Sequence, residues 1–178
     1  NPRVRLPKLE LKTFSGNLLE WPEFFDLFKI SVGESSMSDI QKLIYLKSLL
    51  RDEAARCIAN VNVSGDNYRV ALDRLIDRFG DREKQRNRLI SKLINMPSIE
   101  MGDLVICRLA VDDIIATVRA LESMGVGHEV YGAVMIQVVE GNLPHSWRVS
   151  WSRLKEESEG HAVTFTRLIS FMEKEVKV

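Results

Sequence analysis

DLVICRLAVDDIIATVRALESM, residues 103–124, is the longest uninterrupted periodic stretch of the chain, and its pattern decides the fold class. Cys107, Val111, Ile114, Val118 and Leu121 step by 4, 3, 4 and 3, the spacing of a helical seam that packs against another helix. Gly102 and Asp103 introduce the segment and Gly125 ends it. The segments after it follow the same rule. Residues 129–140, 144–155 and 164–176 each read as helices, the last with Phe165, Leu168, Ile169, Met172 and Val176 in stripe spacing. Before it, a basic helix from Asp81 carries Leu89, Ile90, Leu93 and Ile94 and stops at Pro97.

The first half is built alike. Pro22 suits the first turn of a helix, where its missing N–H costs nothing, and Trp21, Phe24, Phe25, Phe28 and Val32 lie on one face of that helix. Ser38 and Gln41 form a capping-box pattern ahead of Ile40, Leu43, Ile44, Leu46 and Leu50. A short helix follows near residues 51–59. The polar break NVSGDN (62–67) then leads into Tyr68, Ala71, Leu72, Leu75 and Phe79, ended by Gly80. Residues 4–14 differ: Leu6, Leu9, Leu11 and Phe14 are interrupted by Pro7, which gives a short extended arm with one apolar side. The arm cannot bury these side chains alone, so it is expected against the first lobe or a neighbouring subunit. The fold class expected is all-α, two small helical lobes with an N-terminal arm, divided into residues 1–80 and 81–178.

The 178 residues carry 25 Lys and Arg against 25 Asp and Glu, so no global charge marks a dedicated nucleic-acid or membrane-surface binder. A chain of this size can bury roughly 70% of its unfolded surface and needs no disulfide or metal to fold. Cys57 and Cys107 stand 50 positions apart, which fits a reducing compartment. The most apolar stretch, residues 130–139, is far short of the about 20 residues that span a bilayer. The start at Asn1-Pro2 reads as the edge of an excised or processed piece.

Catalytic signatures need set residues at set spacings, and GxSxG, GxxxxGK[ST] and HExxH are all missing from the sequence. Ser152 and Lys155 form an SxxK string, but Trp147, Trp151 and Leu154 make that helix a packing element. His128, His145 and His161 are isolated from any other metal-ligand spacing. Asp112 and Asp113 point about 100° apart on a helix and read as a solvated face. The expectation is therefore no enzyme activity, no cofactor and no metal.

Two features carry more weight. Arg82, Lys84, Arg86, Arg88 and Lys92 fall within eleven residues, either a solvated helix face or a contact for RNA phosphate. The helix of 129–140 is apolar nearly all round, so it is either central in the core or closed on its second side by another copy of the chain. Tyr131, Met135 and Val139, at i, i+4 and i+8, are the candidates for that self-association. Trp21, Phe24, Phe25 and Phe28 are the candidates for a groove holding the arm or a partner peptide.

The order of LPKLELKTFSGNLLEWPEFFDLF (6–28), SDIQKLIYLKSLLRDEAA (38–55), YRVALDRLIDRFG (68–80), YGAVMIQVVEGNLP (131–144) and SWRVSWSRL (146–154) resembles the capsid region of Gag polyproteins from BEL/Pao long-terminal-repeat retrotransposons. The resemblance implies a two-lobed helical capsid protein, similar to retroviral capsids and to the Gag-derived neuronal protein Arc, that multimerises into cytoplasmic shells packaging RNA. It implies a second lobe of the dimerising type. MPSIEMGDLVICRL (96–109) stands where retroviruses carry their major homology region. The usual glutamine is missing there, with Ser98 and Ile99 near its place, so that region's hydrogen-bond network is not carried over. The partners implied are further copies of the chain, with RNA held through flanking Gag regions and no membrane. A domesticated Gag-derived adaptor that binds a peptide without assembling is the alternative.

Overall fold

The computed structural model describes residues 11–157 and 163–177, with the side chains of 128–131 outside that description. The chain is all-α. Its elements are α1 (Trp21–Phe28), a π-helical turn (Lys29–Gly33), α2 (Asp39–Leu49), α3 (Asp52–Cys57), α4 (Gly65–Phe79), α5 (Arg82–Ile94), α6 (Leu104–Ser123), α7 (His128–Asn142), α8 (His145–Glu156) and α9 (Phe165–Glu175). Two compact units divide it, Asn1–Gln85 and Arg86–Val178, so the division falls inside α5, a few residues beyond the joint expected at 80–82.

The first unit is organised around the end of the arm. An extended segment cannot satisfy its own backbone groups, and a helix terminus leaves carbonyls open, so the two complete each other. Phe14 N–H donates to Leu49 O at 2.9 Å, and Arg51 N–H donates to Phe14 O at 2.9 Å, where α2 has just ended. The resulting parallel bridge, Phe14 with Leu50, is the one β-type pairing among the described residues. It places the Phe14 ring, 1% exposed, against Phe24, Phe79 and Trp21 at centroid distances of 5.0, 5.1 and 5.3 Å. Gly16 then turns the chain with φ +115°; a Cβ there would meet Glu53 Cβ at 3.1 Å, so both the torsion and the space call for glycine.

α1 starts with Pro22 in its first turn, as its sequence requires. It continues as a π-helical turn where the sequence reads as plain α-helix: Glu34 N–H reaches Lys29 O five residues back, and Lys42 Nζ donates to Gly33 O at 2.8 Å. Val32 remains buried. The capping box forms, Gln41 N–H donating to Ser38 Oγ and Ser38 N–H to Gln41 Oε1. Leu43, Leu46, Leu49 and Leu50 enter the core, while Ile40 and Ile44, expected with them, lie on the outer side of α2. The buried arc is centred on Leu46, and positions 40 and 44 fall outside it. α4 contributes Ala71, Leu75 and Phe79. Its terminal Gly80 keeps a right-handed conformation, φ −85°, and is needed for closeness instead: a Cβ would lie 2.6 Å from Ile76 O.

In the second unit the whole seam of α6 is buried, from Cys107 to Leu121. Asp103 caps the helix by accepting from Val105 N–H at 2.7 Å. The helix closes in a Schellman motif, Val126 N–H to Leu121 O and Gly125 N–H to Glu122 O, with Gly125 at φ +80°. α9 packs against α6, α7 and α8, inserting Phe165, Leu168, Phe171 and Met172. Trp147 and Trp151 are both buried on α8, and Trp151 lies 5.2 Å from Phe171 with its indole N–H buried without an acceptor.

Candidate functional site

The expected groove on α1 is already filled. Trp21, Phe24 and Phe28 are core residues, and the ring of Phe14 sits among them. Phe25 is half-buried and stacks on Trp21 at 5.2 Å. The arm therefore packs on the first unit at its described end, Leu11 and Phe14, while Leu6 and Leu9 lie outside the described residues. A cleft of about 270 Å³ remains beside it, lined by Leu11, Lys12, Phe14, Glu20, Glu23, Phe24 and Leu27.

The self-association stripe on α7 is corrected by the structure. Met135 (3% exposed) and Val139 (0%) face the interior of the second unit, and Tyr131 lies where side chains are not described. Among the described side chains of α7, Ala133, Val134 and Gln137 are exposed. α9 packs against α7, and the Met135 side is buried within one chain.

The basic run on α5 is partly spent on internal partners. Lys84 pairs with Asp81 at 3.6 Å, Lys92 pairs with Asp113, and Arg86 has partners of its own. Arg82 and Arg88 are exposed. The expected cluster Arg82, Lys84, Arg86 and Arg88 stands on the one helix α5, and the boundary between the two units falls between Lys84 and Arg86. Asp81 caps α5, accepting from Lys84 N–H at 3.1 Å and Glu83 N–H at 2.9 Å, and these bonds hold its carboxyl below the usual range. A lowered folded-state pKa stabilises above the unfolded value, about 3.9, and is lost as pH falls through the lower folded one. Asp81→Ala should therefore melt earlier than the parent at neutral pH, with the gap closing in strong acid. Calorimetry at neutral pH and near pH 2 checks this, and a gap that persists in acid would refute it.

Chemical candidates are occupied elsewhere. Lys155 is ion-paired with Glu140 and lies over the Trp151 ring, so it does not serve Ser152 as a base. Asp113 is held by Lys92, His145 is exposed, and His128 and His161 fall outside the described side chains. A cleft of about 620 Å³ in the first unit is lined by Gly16, Glu53, Cys57, Arg74, Asp77 and Arg78, among others. Its charges answer one another: Arg78 Nε donates to Glu53 at 3.0 Å, and that hydrogen bond raises the Arg78 pKa. Burial pushes the Cys57 thiol up, which keeps it protonated at neutral pH. Among the described residues, no group of three His, Cys, Asp or Glu could hold a metal ion, and no helix is long and apolar enough to cross a membrane.

In place of the missing glutamine network, the segment before α6 has its own anchor. Ile99 N–H donates to Asn142 O at 2.8 Å, Ser98 Oγ meets Asn142 Oδ1 at 3.2 Å, and the Cys107 thiol donates to Glu100 O at 3.5 Å. This anchor precedes the start of α6, where sequence reasoning missed a cluster of exposed apolar side chains. Met101, Leu104, Val105, Ile106 and Leu109 are 57, 48, 62, 61 and 63% exposed. Further along α6 the outward positions become Asp112, Asp113, Arg119 and Glu122. One helix thus shows solvent charges on its second half and large apolar side chains on its first. The signal was present in the sequence: Val105 and Leu109 are apolar yet lie off the seam.

Fold and surface together define an all-α protein of two compact helical units. The chain belongs to the family described as "Protein of unknown function (DUF1759)", whose model matches residues 14–160. That family is found in Gag-like and pol polyprotein regions of retrotransposons. No curated protein and no solved structure gives a significant match to the chain.

Proposed function

We propose that this chain is the capsid domain of a BEL/Pao-type Gag polyprotein, a structural subunit that self-associates in the cytoplasm into a shell around retrotransposon RNA. The observation that carries the reading is the cluster of exposed apolar side chains at the start of α6, on a chain of a Gag-region family, since such clusters often mark protein contacts. The two-unit helical architecture and the motif order of residues 6–154 support it. RNA would be held chiefly by flanking parts of the polyprotein, because Lys84 and Lys92 already have acidic partners. The domain itself would perform no catalysis.

Sedimentation velocity and electron microscopy of the full chain at rising concentration test this reading. Higher assemblies growing with concentration are expected. A single small species throughout, with no particles, would overturn it. That outcome would favour the second reading, a domesticated adaptor that takes a peptide in the cleft beside Leu11 and Phe24.

A further inference from the structure

We infer that the cleft of about 270 Å³ beside Phe14 is the seat of the same chain's first residues, with Leu6 and Leu9 in the cleft and Arg3, Arg5 and Lys8 beside its carboxylates. The inference stands apart from the capsid reading: it holds for a shell subunit, and an adaptor's peptide would first have to displace this segment. Its first support is the tether. Leu11 lines the cleft and is the first described residue, so the chain before it starts at the cleft wall. Even fully extended, the chain keeps Leu9 within about 7 Å of Leu11 and Leu6 within about 18 Å. A segment held that close acts at the millimolar effective concentration of a short linker, whereas the arm of a second copy arrives untethered.

The second support is chemical match. The lining joins apolar Leu11, Phe14, Phe24 and Leu27 to the carboxylates of Glu20 and Glu23, with Lys12 as the cation among the described lining residues. Lys12 and Glu23 pair at 3.4 Å, but their side chains are 79 and 64% exposed, so the pair is weak and leaves the acidic side open to further cations. Residues 1–10, NPRVRLPKLE, offer the same two chemistries with the opposite sign. Leu6 and Leu9 are apolar, and Arg3, Arg5 and Lys8 outweigh Glu10. Pro7 disfavours a helical conformation at Leu6, so the segment meets the cleft extended, as Phe14 meets Leu50.

The test uses the full chain with Cys57→Ser, which leaves buried Cys107 as its native thiol. Leu6→Cys with Leu27→Cys should form a disulfide within one chain under mild oxidation, since the two positions then meet across the cleft. Leu6→Cys with Ile44→Cys, exposed on α2, should not. A disulfide between chains would give the seat to a second copy, and no disulfide would show the segment elsewhere; either overturns the inference. In a second measurement, a fluorescein-labelled peptide of residues 1–10 is titrated by anisotropy to about 1 mM, the scale of the tether. The parent should not take it up, and Leu6→Asp with Leu9→Asp, which empties the seat, should. Adding Glu23→Lys to that variant should weaken uptake roughly fivefold, the scale of an exposed charge pair turned to repulsion. Equal uptake by parent and variant would show an open seat, uptake by neither would show a cleft that does not take this sequence, and indifference to Glu23→Lys would remove the charge match. Each of these outcomes overturns the inference.

Discussion

Phe14→Ala should destabilise the first unit by about 3–5 kcal/mol, the usual cost of removing a fully buried aromatic ring from a packed core. The ring is 1% exposed and touches three others, so its removal opens a cavity that Trp21, Phe24 and Phe79 cannot collapse to fill. The backbone bonds of Phe14 to Leu49 and Arg51 would survive the substitution but would lose the anchor that holds them. Urea unfolding checks this, with Phe14→Leu as the milder control. A loss below about 1 kcal/mol would show that the arm is an accessory and not part of the core.

The second large effect is expected at Met135. Asp at a position only 3% exposed leaves a carboxylate out of water, which costs several kcal/mol, comparable with the whole stability of a small domain. The second unit should unfold, read as lost helical signal and proteolysis confined to residues beyond 85, whereas Met135→Leu should be tolerated. This differs from the outcome the sequence suggested, a folded chain with its dimer dissolved. Should Met135→Asp remain folded and merely lose association, Met135 would be an interface residue after all.

The contrast between these sites shows what periodicity can and cannot resolve. The α1 stripe, the Ser38–Gln41 box, the α6 seam and the Gly125 terminus were legible because each rests on local spacing and local backbone bonding. Helix α7 was not, because when Val130, Val134, Met135, Val138 and Val139 ring a helix, the pattern names no inner side. Only the packing of other elements against α7, α9 chief among them, chooses Met135 over Val134. The same limit hid Ile40 and Ile44, apolar residues that lie on the outer side of α2. The docking of Phe14 on Leu50 joins residues 36 positions apart, and no local rule carries such a pairing.

The burial of all three tryptophans has an optical consequence. Trp21 sits inside the first unit, and Trp147 and Trp151 sit inside the second. The indole emission therefore reports whether each unit is folded, and it is blind to events at the outer surface of α6, which holds no aromatic ring between residues 101 and 109. Association there should leave the emission maximum unmoved, while unfolding of either unit should shift it to the red. With Trp147 and Trp151 both changed to Phe, the remaining light comes from Trp21 alone, and the first unit can be watched by itself in the intact chain.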